Sequence, residues 1–153
     1  MEKLKVKTFD IPPVWLVIFM VAVYFQTGFW NPFGFDNSFA SLVGWLLIVF
    51  GFVIFGWASL QFHSHKTSII PRQLPKSFIA QGPYKYSRNP IYFADAIILL
   101  GFALIQGSII GILLVPVFSR LIARRFIIGE EAGLKAEFPE EFAPYCTKTR
   151  RWI

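Results

Sequence analysis

The chain has 153 residues, which is one domain's worth of length. It is 55% hydrophobic and 18% aromatic, and a soluble domain of that composition would expose large apolar patches to water. The formal net charge of +6 invites a nucleic-acid reading, but Lys and Arg cluster beside apolar segments, as in loops flanking membrane spans, so no nucleic-acid partner is expected. Cys146 is the only cysteine, so neither an intrachain disulfide nor a cysteine-based metal site is expected.

The N-terminal run "MEKLKVKTFDIPPVWLVIFMVAVYF" imitates a secretion signal, lysines first and then an apolar stretch. The stretch is long and no small-x-small cleavage site follows it, so a retained first membrane helix is predicted over 13–29, with Pro12 and Pro13 at its start. "WNPFGFDNS" then breaks the pattern and holds no Lys or Arg. A second, continuously apolar helix is predicted over 39–62. A polar segment, 63–89, carries Lys66, Arg72, Lys76, Lys85 and Arg88. Apolar character returns over 90–106, pauses at "QGS", and resumes over 108–128. Residues 129–153 read as a short amphipathic helix followed by a basic tail.

The expected fold is therefore an all-α integral membrane protein forming a single domain over 1–153. It has about four transmembrane helices, the last two a helical hairpin, plus a short C-terminal amphipathic helix. The loops at 30–38 and 106–108 hold no Lys or Arg, which orients both termini and the 63–89 segment toward the cytoplasm of a bacterial or archaeal membrane.

The predicted hairpin is half polar. Counting outward from its turn at Gly107 and Ser108 brings Asp95 and Arg120 to similar depth, and the simplest reading of the two is a structural ion pair. The same count sets Asn89 and Tyr92 level with Ile122 to Phe126. A polar pocket opening to the cytoplasm is expected, walled by "GPYKYSRNPIY" (82–92), the arginine-bearing end of the fourth helix, and Glu130-Glu131. Pro90 lacks an N–H and disfavours helix at Asn89, so the chain must turn there. Tyr84, Tyr86 and Tyr92 suit an adenine ring or a sulfonium cation, and a carboxylate such as Glu130 suits ribose hydroxyls or an ammonium. Tyrosines and arginines also anchor membrane interfaces, so a cofactor site and a decorated interface both stay open on these residues alone. Soluble cofactor templates are absent: there is no dinucleotide fingerprint, phosphate loop or nucleophile elbow.

"GPYKYSRNPIY", an apolar hairpin, and then "EEAGLKAEFPEEFAPY" together resemble the isoprenylcysteine carboxyl methyltransferase-like family of integral membrane enzymes, whose wider group includes phospholipid methyltransferases. The likeness covers residues 74–145. It implies S-adenosyl-L-methionine as methyl donor and a lipophilic acceptor: a prenylcysteine-like carboxylate or a lipid head group. By position it assigns cofactor contacts to Lys76, Ser77, Phe78, Ile79, Tyr84, Asn89, Pro90, Ile91 and Tyr92, and to Glu130 or Glu131. It assigns the acceptor's acidic group to Arg125, or next to Arg124. The chain departs from the family pattern where "FIIG" separates Arg125 from the glutamates, at Asn89 in place of the commoner His, at Pro139 in place of Gly, and at Asp95 in a generally apolar position. Methyl transfer from a sulfonium needs little acid–base help, and no general base is evident, which favours an acid-group acceptor over an amine. The alternatives are an NADPH-dependent reductase of the sterol type and a membrane scaffold without chemistry.

Overall fold

The computed structural model describes residues 10–65 and 77–153; Lys76, among the expected cofactor contacts, lies outside them. Within them the fold is helical and contains no β-strand. Helix α1 (Pro12–Phe29) begins with proline in its first turn, where a missing N–H costs nothing. Helix α2 (Ser38–Ser64) is capped by Asn37, whose side-chain oxygen accepts from the N–H groups of Phe39 at 2.9 Å and Ala40 at 3.2 Å. A 3-10 turn at Gly82–Lys85 leads to α3 (Pro90–Ile105), and α4 (Ile109–Ile122) follows.

Helices α1 and α2 are long and apolar enough to cross a membrane, yet only 11% of each apolar window is buried by the protein. A helix in a soluble core would be mostly covered. Here Val17, Val21 and Phe25 of α1 and Leu46, Val49 and Val53 of α2 stay exposed, an apolar surface that suits a lipid environment. At 16 and 14 residues, α3 and α4 are each shorter than the roughly 20 residues of an ordinary span.

Helix α3 is the centre of the fold. It packs against α1, α2 and α4 and buries nine of its 16 residues. Against α2 the approach is backbone to backbone: a Cβ at Gly44 would come within 2.6 Å of the Gly101 carbonyl oxygen, and one at Gly51 within 3.1 Å of the Ala94 carbonyl oxygen. On its other side Tyr92, Leu99 and Ala103 meet Val23, Phe118, Ile122 and Phe126.

The turn between α3 and α4 requires glycine. Gly107 has φ of 60°, and a Cβ there would collide with the Phe35 carbonyl. That turn is tied to the 30–38 loop, since Phe35 N–H donates to Gly107 O at 3.0 Å, and to α1, since Ser108 Oγ donates to Gln26 Oε1 at 2.5 Å.

Beyond α4 the structure differs from expectation. The fourth helix does not end near residue 128 before a separate short helix. It continues through a π turn at Ala123–Ile127 directly into α5 (Ile128–Glu137), and a further helix, α6 (Pro139–Lys148), follows. Ile127 and Ile128 are both helical, so the fall in hydropathy marks where the helix leaves its apolar surroundings and not where it ends.

Candidate functional site

The site lies at the end of the bundle opposite the Gly107 turn. Gly82, at φ of 59°, and Pro83 set the 3-10 turn that buries Tyr84 against Phe62 of α2, with ring centroids 5.9 Å apart. Pro90 occupies the first turn of α3 and carries Tyr92 into the core face. Tyr92 is only 7% exposed and lies over Phe126, with ring centroids 6.4 Å apart. Its hydroxyl donates to Glu130 Oε1 at 2.7 Å, a charge-assisted bond joining the two sequence motifs across 38 residues.

The two glutamates have different partners. Glu131 is clamped by Arg151, which donates from Nη2 at 2.6 Å and Nε at 3.2 Å, and it lies 3.3 Å from Arg88 Nε. The carboxylate is therefore neutralised from two sides. The Glu131 hydrogen bond raises the Arg151 pKa further. Glu130 remains the carboxylate that faces the tyrosines.

The C-terminal tail forms one wall, which sequence reasoning missed. Ser87 Oγ and Asn89 Nδ2 both donate to the Arg151 carbonyl, at 3.3 and 3.1 Å. Arg88 N–H donates to Arg150 O at 2.9 Å, and the Tyr145 hydroxyl donates to Tyr84 O at 2.6 Å. Asn89 thus uses its amide to hold the tail and not to cap α3. Burial pushes the Tyr84 phenol well above its ordinary value, with Tyr145 and Glu130 adding to the shift. Burial does the same for Tyr145, partly opposed by Arg88.

The upstream segment packs more than it lines. Phe78 sits in an aromatic cluster with Phe138, Phe142 and Tyr145, Ile79 packs with Ala58 and Tyr84, and Ile91 adjoins that group. Ser77 Oγ donates to His65 O at 3.3 Å.

The arginines are placed differently from expectation. Arg125 Nε donates to Asp10 at 2.6 Å, and its guanidinium lies 5.2 Å from the Trp15 ring centroid, so it secures the start of α1. Arg124 is exposed, with no partner among the described residues. Neither is brought to the Tyr92–Glu130 pair. Among the described residues, the cations that reach Glu131 are Arg88 and Arg151.

Asp95 and Arg120 do not pair. Arg120 lies with Phe93, Ala96, Ile97, Leu100 and Trp152 around an apolar groove of about 620 Å³ between α3 and α4. At 100° per residue, Asp95 points about 150° around α3 from that row. Matching depth did not give matching direction. Asp95 is 4% exposed, and its Oδ2 has no hydrogen-bond partner among the described residues.

The family model for phospholipid methyltransferases matches residues 39–141, from the start of α2 through α5 and into α6. The chain belongs to the phospholipid methyltransferase family. No curated protein and no solved structure matches it. The matched stretch contains Tyr84, Tyr92, Glu130 and Glu131, while α1 and the Arg151 tail lie outside it. Membership in this family, together with two exposed apolar helices, makes the protein a membrane methyltransferase acting on lipid.

Proposed function

We propose that the protein transfers a methyl group from S-adenosyl-L-methionine to a lipophilic acceptor at the cytoplasmic face of the membrane. The family match over both motifs, joined by the Tyr92–Glu130 hydrogen bond, carries the reading. The residues present fit this cofactor: two buried aromatic rings, a carboxylate bound to one of them, and a buried carboxylate one turn away whose Oδ2 has no hydrogen bond among the described residues suit a flat base and a cation. When bound, the cofactor supplies a methyl group on a positively charged sulfur.

In this reading the whole chain is one membrane-embedded domain in which α3 and α4 form a re-entering third and fourth span, with both termini cytoplasmic. Tyr84 and Tyr92 hold the cofactor, and Glu130, oriented by Tyr92, binds its hydroxyl or amino groups. Glu131 acts differently: its two arginines make it the pin that holds the tail over the site. Asn89 positions the same tail. The groove beside Arg120 and Trp152 takes the acceptor's hydrocarbon, so the two substrates approach from water and from lipid. Closing the tail over the site excludes water and holds the acceptor at near-attack distance.

Equilibrium binding to protein in nanodiscs tests this. S-adenosylmethionine or its demethylated product should bind and NADPH should not, and Tyr92→Phe or Glu130→Gln should weaken binding about tenfold without loss of folded protein. Binding of NADPH alone, or of no cofactor by a folded sample, would overturn the reading.

A further inference from the structure

Among the described residues, Asp95 is the ionisable side chain on the protein-covered part of α3 whose charge no neighbour explains. It is 4% exposed, and its Oδ2 has no hydrogen-bond partner among the described residues. The cation at matching depth, Arg120, faces the lateral groove on the other side of the helix. An ionised carboxylate in apolar surroundings is costly unless a positive group meets it, and in a membrane helix the default reading of such a residue is a ligand site.

Its position gives the kind of ligand. Asp95 is three residues from Tyr92, so the two side chains are neighbours on one helix face. Tyr92 in turn binds Glu130 at 2.7 Å. Glu130, Tyr92 and Asp95 therefore form a row running from the water-facing end of the site toward the bundle interior. Glu131, just beyond the row, is already neutralised by Arg88 and Arg151. The row carries two carboxylates, and neither of those arginines reaches its inner one.

We propose that Asp95 is a binding residue for an onium group, a positively charged sulfur or nitrogen, of a ligand held against Tyr92. This rests on the methyltransferase reading, which supplies two sources of that chemistry: the sulfonium of the methyl donor and the ammonium of an amino lipid. No bond to Asp95 forms or breaks; it stabilises the cation by charge.

The test measures binding, not turnover, in nanodiscs. Affinities for S-adenosylmethionine and for its neutral thioether product, S-adenosylhomocysteine, are compared in the wild type and in Asp95→Asn. Phosphatidylethanolamine and phosphatidylglycerol are compared in the same proteins without cofactor. If Asp95 faces the sulfonium, Asp95→Asn lowers affinity for the sulfonium form about tenfold or more and leaves the thioether unchanged. If it faces an ammonium, the cofactor ratio holds and the preference for the amino lipid falls by a similar factor. Asp95→Glu retains whichever preference the wild type shows.

Thermal stability is read alongside. Removing an unpartnered buried charge should leave it equal or higher, and Asp95→Leu, which removes the buried polar group altogether, serves as the second variant read in the same way. If neither ratio moves, or if all four affinities fall together with stability, the proposal is overturned. A wild type that binds neither form of the cofactor overturns the methyltransferase reading instead, and the lipid arm then decides Asp95 alone.

Discussion

Helices α2 and α3 are both strongly apolar, yet their surroundings are opposite. Only 11% of the apolar window in α2 is covered by protein, whereas α3 has nine of its 16 residues buried. Composition tells the two apart poorly, because lipid and a protein interior are both apolar solvents. What separates them is where glycine and charge fall. The glycines at which α2 meets α3, Gly44 and Gly51, lie on one stripe, while Gly56 has nothing within 4 Å of where its Cβ would be. Helix α3 carries the buried carboxylate and the tyrosine bound to Glu130. Lipid asks only that a helix be apolar; a helix wrapped by protein can also carry polar chemistry.

Enlarging the glycines should break this contrast most strongly. Gly101→Leu drives a side chain into the Gly44 carbonyl, 2.5 Å from where its Cβ would sit, and should cost about 2 kcal/mol or more. Gly56→Leu meets nothing and should change stability little. Thermal unfolding in detergent compares the two, and equal losses would show that the α2–α3 contact does not govern stability.

Glu131→Gln should come next. It leaves Arg88, whose side chain is 15% exposed, without its counter-charge, and it frees the half-exposed Arg151. Because Arg151 is well solvated, a loss of about 1–2 kcal/mol is expected, less than for a fully buried pair. Proteolysis should then cut the tail faster while α1 and α2 stay protected. An unchanged cleavage rate would sink the idea that Glu131 pins the tail.

Tyr84 and Tyr145 sharpen the same contrast through pH. Both phenols are pushed above the ordinary value of 10.0 by burial. Their stabilising effect is complete below that value and is lost as pH rises beyond it, because the unfolded chain ionises first. Tyrosinate absorbance should show these two titrating only as the structure opens, and Tyr145→Phe should shift that opening. Two phenols ionising freely near 10.0 in folded protein would contradict their burial.

The smallest effect belongs to the lipid-facing surface. Val49→Ala, at a position 59% exposed, should alter stability by less than about 0.5 kcal/mol.

The spans of α1 and α2 were legible because long apolar runs have few other solutions. The turn at Asn89-Pro90 was legible because proline acts locally. The level at which Tyr92 meets Phe126 followed from counting residues outward from Gly107. Direction around a helix did not follow from that count, which is why Asp95 and Arg120 were paired and are not. The tail was missed for a different reason: its contacts to Ser87, Arg88 and Asn89 use the carbonyls of Arg150 and Arg151, which every residue type possesses. Arg125 was assigned to the site by its place before the glutamates, and its partner Asp10 lies 115 positions away, beyond any local pattern.

The π turn at Ala123–Ile127 decides which way Glu130 and Glu131 face. A π turn holds one residue more than the α-helical turn it replaces, so straightening it to plain helix with that residue retained would rotate all that follows by about 100°. Glu130 would leave Tyr92, and Glu131 would leave its arginines, with every helix still intact. In evolutionary terms this segment is where one extra residue is absorbed, so that the helix beyond it keeps the facing the site needs.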